Sequence, residues 1–284
     1  MAQFTNQAQL SYNDAVINSN VAVGEVLEVL SADKTAVTNT YTPGGDITYV
    51  ISAVNSGATP IDGITVSDNL GAYAFGETTL YPLTYKEGSV RLYINGVLQA
   101  APTVTAGQPL VFSDIALPAN SNMVLIYEAN VTAFAPLGEG DSIINTATVA
   151  GGGASTPLTV SETVTPVAEP MLTITKSISP VPVAENGVVT YTFVIRNSGN
   201  APADASANAT LRDTFLPVLS DLTVLLDGVE LAEGTGYTYA ITEGDFATVP
   251  GIITVPAATY TQDPATGVWS VTPGVTTLTV SGTI

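Results

Sequence analysis

The 284 residues include 25 acidic against 6 basic side chains, a net charge of -19, and neither cysteine nor histidine. Without Cys and His there are no thiol nucleophiles, imidazole bases, disulfides or ordinary zinc ligands. So few Lys and Arg exclude a phosphate-reading face for nucleic acid and attraction to anionic membranes. Hydrophobic residues make up 45%, enough for packed cores, yet no run approaches the roughly 18–20 apolar residues of a spanning helix. The acidity reads as a solvated surface that prevents clumping. Calcium is the weaker alternative, because no Asp-x-Asp-x-Asp loop is present, and no cofactor is expected.

Phe4, Asn6, Ala8 and Leu10 share one face of an alternating segment, with Thr5, Gln7 and Gln9 on the other, the period of a half-buried strand. Asn13-Asp14 suits a turn, and Val16 to Val29 alternates loosely. Residues 1–30 are therefore expected to form a strand or hairpin, which is marginal alone in water and needs a partner sheet.

A first unit is expected over residues 31–165, with a trailing strand. Lys34 lies in its opening strand. Asp46 to Val54 directs Ile47, Tyr49, Ile51 and Ala53 to one face, and Asn55-Ser56-Gly57 turns into a strand at Ile64–Asp68. Arg91 to Leu98 reads as a hairpin tipped by Asn95-Gly96. Met123–Val131 and Ile143–Val149 are further strands, Gly151-Gly152-Gly153-Ala154-Ser155 a break, and Leu158–Val164 a returning strand. Pro166 and Pro170 stiffen a linker over 166–170.

The second unit, 171–284, repeats the first. Lys176 answers Lys34, Thr190-Tyr191 answers Thr48-Tyr49, and Asn197-Ser198-Gly199 answers Asn55-Ser56-Gly57. Asp213 answers Asp68, Asp227-Gly228 answers Asn95-Gly96, and Leu278 to Ile284 answers Leu125 to Val131. Short strands, turn signals and two copies predict an all-β chain of two tandem immunoglobulin-like sandwiches. Phe4 to Leu10 is a near copy of Ile143 to Val149, the strand that closes the first unit, while the second unit stops before its own closing copy. Phe4, Asn6, Ala8 and Leu10 are thus expected to form a donor strand for another molecule. The edge at Leu278, Val280 and Ile284 is expected to accept it.

On the opening lysines, the Thr-Tyr and Asn-Ser-Gly strands, Asp68 and Asp213, and the closing Asn145-Thr146-Ala147, the chain resembles the DUF11 repeats of bacterial and archaeal surface proteins. The resemblance implies immunoglobulin-type sandwiches arrayed end to end in cell-surface or extracellular structural work, and assigns no single activity.

Two of the three lysines, Lys34 and Lys176, occupy equivalent places. The simpler account pairs them with Asp68 and Asp213. A sharper one is a spontaneous Lys–Asn amide bond, as in other bacterial surface sandwiches, with a buried neutral amine as nucleophile and a protonated acid polarising the carboxamide. The trio would be Lys34, Asp68 and Asn145 in the first unit. In the second it would be Lys176, Asp213 and Asn6 of a neighbouring molecule.

The chain is accordingly expected to be a subunit of a pilus-like extracellular filament, its partner being a further copy of itself, linked by strand donation. A monomeric surface adhesin or glycan-binding module is the alternative, and an enzyme is not expected. Scattered acids, and Ser and Thr without a base, offer no catalytic constellation, and the aromatics Tyr237, Tyr239, Phe246 and Trp269 suit core or edge packing more than a ligand surface.

Overall fold

The computed structural model describes residues 2–26, 28–151 and 156–284. Met1 and the stretch 152–155 of the expected break lie outside them. Among the described residues there are only β-strands and one 3₁₀ turn, Ala205–Ala207. The chain divides into two compact units, the first holding 1–136 and 142–165, the second 137–141 and 166–284.

The N-terminal hairpin comprises β1 (Ala2–Asn6), β2 (Gln9–Tyr12), β3 (Ala15–Asn18) and β4 (Ala22–Val26). β1 pairs with β4 and β2 with β3, and neither pair joins another sheet. Asn13 and Asp14 take φ of 44° and 65° at the tip, the left-handed pair that matches the twist of a two-residue hairpin turn. The ring of Phe4 lies over Gly24, where a Cβ would fall 2.3 Å from it. Side chains 3–23 are all exposed, among them Phe4, Leu10, Tyr12, Val16, Ile17, Val21 and Val23.

The first unit is a sandwich of two six-stranded sheets. Its strands are β5 (Leu30–Ala36), β6 (Thr40–Tyr41), β7 (Asp46–Asn55), β8 (Ile61–Asp68), a side hairpin of β9 (Tyr73–Phe75) and β10 (Thr78–Leu80), β11 (Leu83–Tyr85), β12 (Arg91–Ile94), β13 (Val97–Leu98), β14 (Thr103–Thr105), β15 (Leu110–Leu117), β16 (Ser121–Val131), β17 (Ile143–Ala150) and β18 (Leu158–Pro166). One sheet runs β13-β12-β16-β7-β5, with β11 also on β16, and the other β14-β15-β8-β17-β18-β6. The alternation seen in sequence is the alternation of burial. Ile47, Tyr49, Ile51 and Ala53 of β7, and Met123, Leu125, Tyr127 and Ala129 of β16, are fully buried. They face Ile64, Val66, Phe112, Ala147 and Val149 of the second sheet, as aligned sandwiches require.

The second unit repeats this plan with fewer strands: β19 (Leu172–Ser179), β20 (Val188–Asn197), β21 (Arg212–Thr214), β22 (Ser220–Leu226), β23 (Val229–Glu230), β24 (Tyr237–Ala240), β25 (Asp245–Thr248), a hairpin of β26 (Thr259–Gln262) and β27 (Trp269–Thr272), and β28 (Gly274–Thr283). The sheet β19-β20-β28-β22-β23 matches β5-β7-β16-β12-β13, and β21-β25-β24 matches β8-β15-β14. Among the described residues nothing matches β17, β18 or β6. The repeated Asn-Ser-Gly is a turn fastened by its own asparagine. Asn55 accepts the Gly57 N–H at 2.9 Å and donates to the Thr59 carbonyl at 2.9 Å. Asn197 does the same with Gly199 and Ala201, at 2.9 and 2.7 Å.

One expectation is overturned. Leu278, Val280 and Ile284 do not form an open edge. β28 lies between β20 and β22, and Leu278 and Val280 are fully buried. The closing strand of the first unit does not pair with β16, which precedes it in sequence, but crosses to β8 of the other sheet, as Greek-key connections do. The edge of the second unit that corresponds to the covered edge of β8 is therefore that of β21, which pairs only with β25.

Leu278→Ala should destabilise the second unit by about 2–5 kcal/mol through cavity formation. The single tryptophan, Trp269, reports that transition in a urea titration, and Leu125→Ala should leave its midpoint unmoved.

Candidate functional site

Lys34 on β5, Asp68 on β8, Tyr127 on β16 and Asn145 on β17 meet in the core of the first unit. The Lys34 ammonium donates to Asp68 Oδ2 at 2.6 Å, with both side chains wholly inaccessible. The Tyr127 hydroxyl donates to the same oxygen at 2.5 Å, and Asp68 Oδ1 accepts the Leu70 N–H at 2.8 Å. Asn145 Nδ2 donates to the Tyr127 hydroxyl at 3.2 Å, while Asn145 Oδ1 is buried with no partner. The Lys34 Nζ lies 4.8 Å from the centroid of the Tyr49 ring, which stacks on Tyr127 at 5.6 Å.

Burial holds the Lys34 ammonium below the ordinary lysine range, against the opposing pull of Asp68. Burial first, and the Asp68 charge second, push the hydroxyls of Tyr49 and Tyr127 upward. The three residues expected from sequence are thus brought together. Tyr127 was missed, although alternation along β16 turns it inward opposite Tyr49, and a buried phenol calls for a hydrogen-bond partner.

This cluster is sealed by β17 and β18. β17 pairs with β8 in the register Ala147↔Asp68 and Val149↔Val66. β18 pairs with β17 through Asn145↔Glu162 and Ile143↔Val164. Asn69 locks the join, its carboxamide oxygen accepting the Thr146 N–H at 2.9 Å while its own N–H donates to the Thr146 carbonyl at 2.9 Å.

The second unit holds the same lysine and aspartate without the seal. Lys176 on β19 donates to Asp213 on β21, but their side chains are 41% and 19% exposed. The Lys176 Nζ sits 4.7 Å from the Tyr191 ring centroid and 5.6 Å from that of Phe215. β21 pairs only with β25. β19 is exposed along its whole length, whereas Leu30 and Lys34 of its counterpart are buried. Leu172 and Ile174 of β19 line an apolar groove with Ile195, Leu211 and Ile253. No asparagine occupies the third place of the trio among the described residues, and Val280 opposite Tyr191 stands where Tyr127 stands opposite Tyr49.

The first strand of the N-terminal hairpin repeats the sequence pattern of β17. Both hairpins are antiparallel, with Phe4↔Gly24 and Asn6↔Ala22 in one and Ile143↔Val164 and Asn145↔Glu162 in the other, but the β17–β18 ladder is continuous whereas β1–β4 and β2–β3 are separate pairs. The remaining lysine, Lys86, forms exposed bridges of 2.7 Å to both Asp46 and Glu128, and those hydrogen bonds raise it above its ordinary value.

Asp68→Ala should cost about 3–5 kcal/mol or more, because it strands a buried lysine. Asp213→Ala should cost less than about 1 kcal/mol, because water already reaches its pair. Denaturant unfolding of the two variants checks the contrast.

No protein-family model and no curated protein matches the chain. Among solved structures, it is similar to a D312A form of BcpA, the major pilin subunit of Bacillus cereus, at 12% identity and a TM-score of 0.39, covering 87% of this chain and 64% of that one. It is also similar to the pilus backbone RrgB of Streptococcus pneumoniae, at 12% identity and TM-score 0.35, covering 86% of this chain and 55% of that one. A third is the D2–D3 pair of the major pilin SpaD from Corynebacterium diphtheriae, at 12% identity and TM-score 0.35, covering 85% and 88%. The chain therefore spans less than two thirds of the first two.

Proposed function

We propose that this chain is a structural subunit of an extracellular filament. In this arrangement the hairpin 2–26 of one copy seats against β21 of the second unit of the next. The contrast between the two units carries the proposal. In the first, a hairpin covers the β8 edge and the Lys–Asp pair. In the second, the equivalent edge and pair are open, and the same chain presents an exposed hairpin whose first strand repeats the sequence pattern of β17, the strand in register with β8 in the first unit. Transferring that register puts Ala8 opposite Asp213, Leu10 opposite Leu211, and Asn6 beside Lys176.

The physical incentive is mutual. A bare strand edge and an apolar hairpin are each liable to unwanted pairing. Joining them satisfies backbone donors and acceptors and removes Phe4 and Leu10 from water, at roughly 1.5–3 kcal/mol per fully buried side chain before ordering costs. Hairpin and groove are different surfaces of one chain, so the contact is heterologous and propagates unless the rotation closes a ring. The resemblance to surface-protein repeats supports an extracellular location.

Purified protein should form filaments visible by negative stain, and deletion of residues 1–26 should leave a folded monomer by size-exclusion chromatography. Filaments that survive the deletion, or a full-length chain that stays monomeric at high concentration, would overturn the proposal. The latter outcome favours a surface-displayed binding module. Because each copy carries a charge of -19, assembly should quicken as salt rises and screening shortens the reach of the repulsion.

A further inference from the structure

We propose that Lys34 and Asn145 become joined side chain to side chain by an amide bond that the folded first unit makes on its own. Nothing in ordinary packing requires a buried amine, a buried carboxyl, a phenol and a carboxamide in one continuous hydrogen-bonded chain. Asn145 Oδ1 remains an orphan within it, and a buried polar atom without a partner calls for an explanation.

The chemistry balances without any added reagent. Lys34 passes one proton to Asp68 through their 2.6 Å contact, which leaves a neutral pair, the form that burial favours over a separated charge. Half a turn of the Asn145 carboxamide exchanges Nδ2 for Oδ1 on the Tyr127 hydroxyl. The Lys34 amine then attacks Cγ of Asn145. A bond forms between Nζ and Cγ, and the carbonyl electron pair moves onto Oδ1, where the Tyr127 hydroxyl, itself hydrogen-bonded to Asp68, meets the developing charge. When the carbonyl re-forms, the Cγ–Nδ2 bond breaks. Nδ2 leaves as ammonia, carrying a third hydrogen that came from Nζ by way of Asp68. Nothing is oxidised or reduced. Tyr127 acts as a positioning residue and proton relay. Its partners in that role are fixed by Tyr49, stacked on it, and Phe112, 5.3 Å from it between ring centroids.

The same inference, where it rests on the filament reading, extends to the junction. Asn6 of a second copy would stand to Lys176 and Asp213 as Asn145 stands to Lys34 and Asp68. Val280 offers no hydroxyl there, so the junction bond should form more slowly than the internal one.

Mass spectrometry of the intact, denatured protein tests the internal bond. The expected mass is one ammonia below the sequence mass, and trypsin should leave residues 1–86 and 92–176 joined, because a modified Lys34 is not cleaved. Asn145→Ala and Lys34→Arg should each show the full mass. Tyr127→Phe, which keeps the ring and its packing, should show the full mass on fresh protein and lose ammonia only slowly. A folded wild type of full mass overturns the inference. So does an ammonia loss with peptide 1–34 released, since that is a cyclised asparagine rather than a cross-link.

For the junction, filaments boiled in detergent should run as a ladder that collapses to monomer in Lys176→Ala. Filaments that yield only monomer remove the junction bond while the filament reading, tested by deletion, stands.

Discussion

A lysine can remain inside a sandwich only while a carboxylate stays against it and water stays out. In the first unit both conditions depend on β17 and β18. They complete the sheet that carries Asp68 and close the core over Lys34. The sealing hairpin therefore does more than add two strands. It changes a hydrated ion pair into a dry one, and burial holds the Lys34 ammonium below its ordinary range and the Tyr49 and Tyr127 hydroxyls above theirs. The second unit displays the other condition, with the same two residue types half in water and the apolar side of β19 uncovered. Among the described residues, one chain thus holds a covered and an uncovered version of the same pair.

The proposed head-to-tail arrangement and the proposed amide bond both follow from that pairing of states, but they rest on different observations. Assembly draws on an unpaired backbone edge, an apolar groove and an exposed hairpin whose first strand repeats the sequence pattern of β17. The bond draws on the contents of a closed core and would hold in an isolated molecule. A covalent tie between β5 and β17 would link the first strand of the unit to the strand that seals it, in opposite sheets. Mechanical load applied along the chain would then reach the linkage before the hydrogen bonds of the intervening strands.

Much of this was legible in the sequence because the chain repeats itself. Alternation through Ile47, Tyr49, Ile51 and Ala53 located β7 and its buried face, and Asn95-Gly96 and Asp227-Gly228 located two turns that adopt positive φ at both positions. The equivalence of Lys34 with Lys176 and of Asp68 with Asp213 pointed to the cluster. The open edge was not legible. Strand order in a sandwich is set by non-local packing, so Leu278 and Val280, adjacent in sequence to the expected gap, are in the middle of a sheet, while the gap opens beside Asp213. Tyr127 escaped notice for a related reason. Its inward direction follows from the period of β16, but its contact with Asp68 crosses from one sheet to the other.

The separation of hairpin and groove on one chain gives the proposed polymer a direction. Its two tips are chemically different, one presenting exposed strands and the other a vacant slot. A copy shorn of its hairpin but retaining its groove would join at one tip and offer nothing to the next arrival. Filament length would then be a matter of stoichiometry, set by the ratio of such terminators to intact copies.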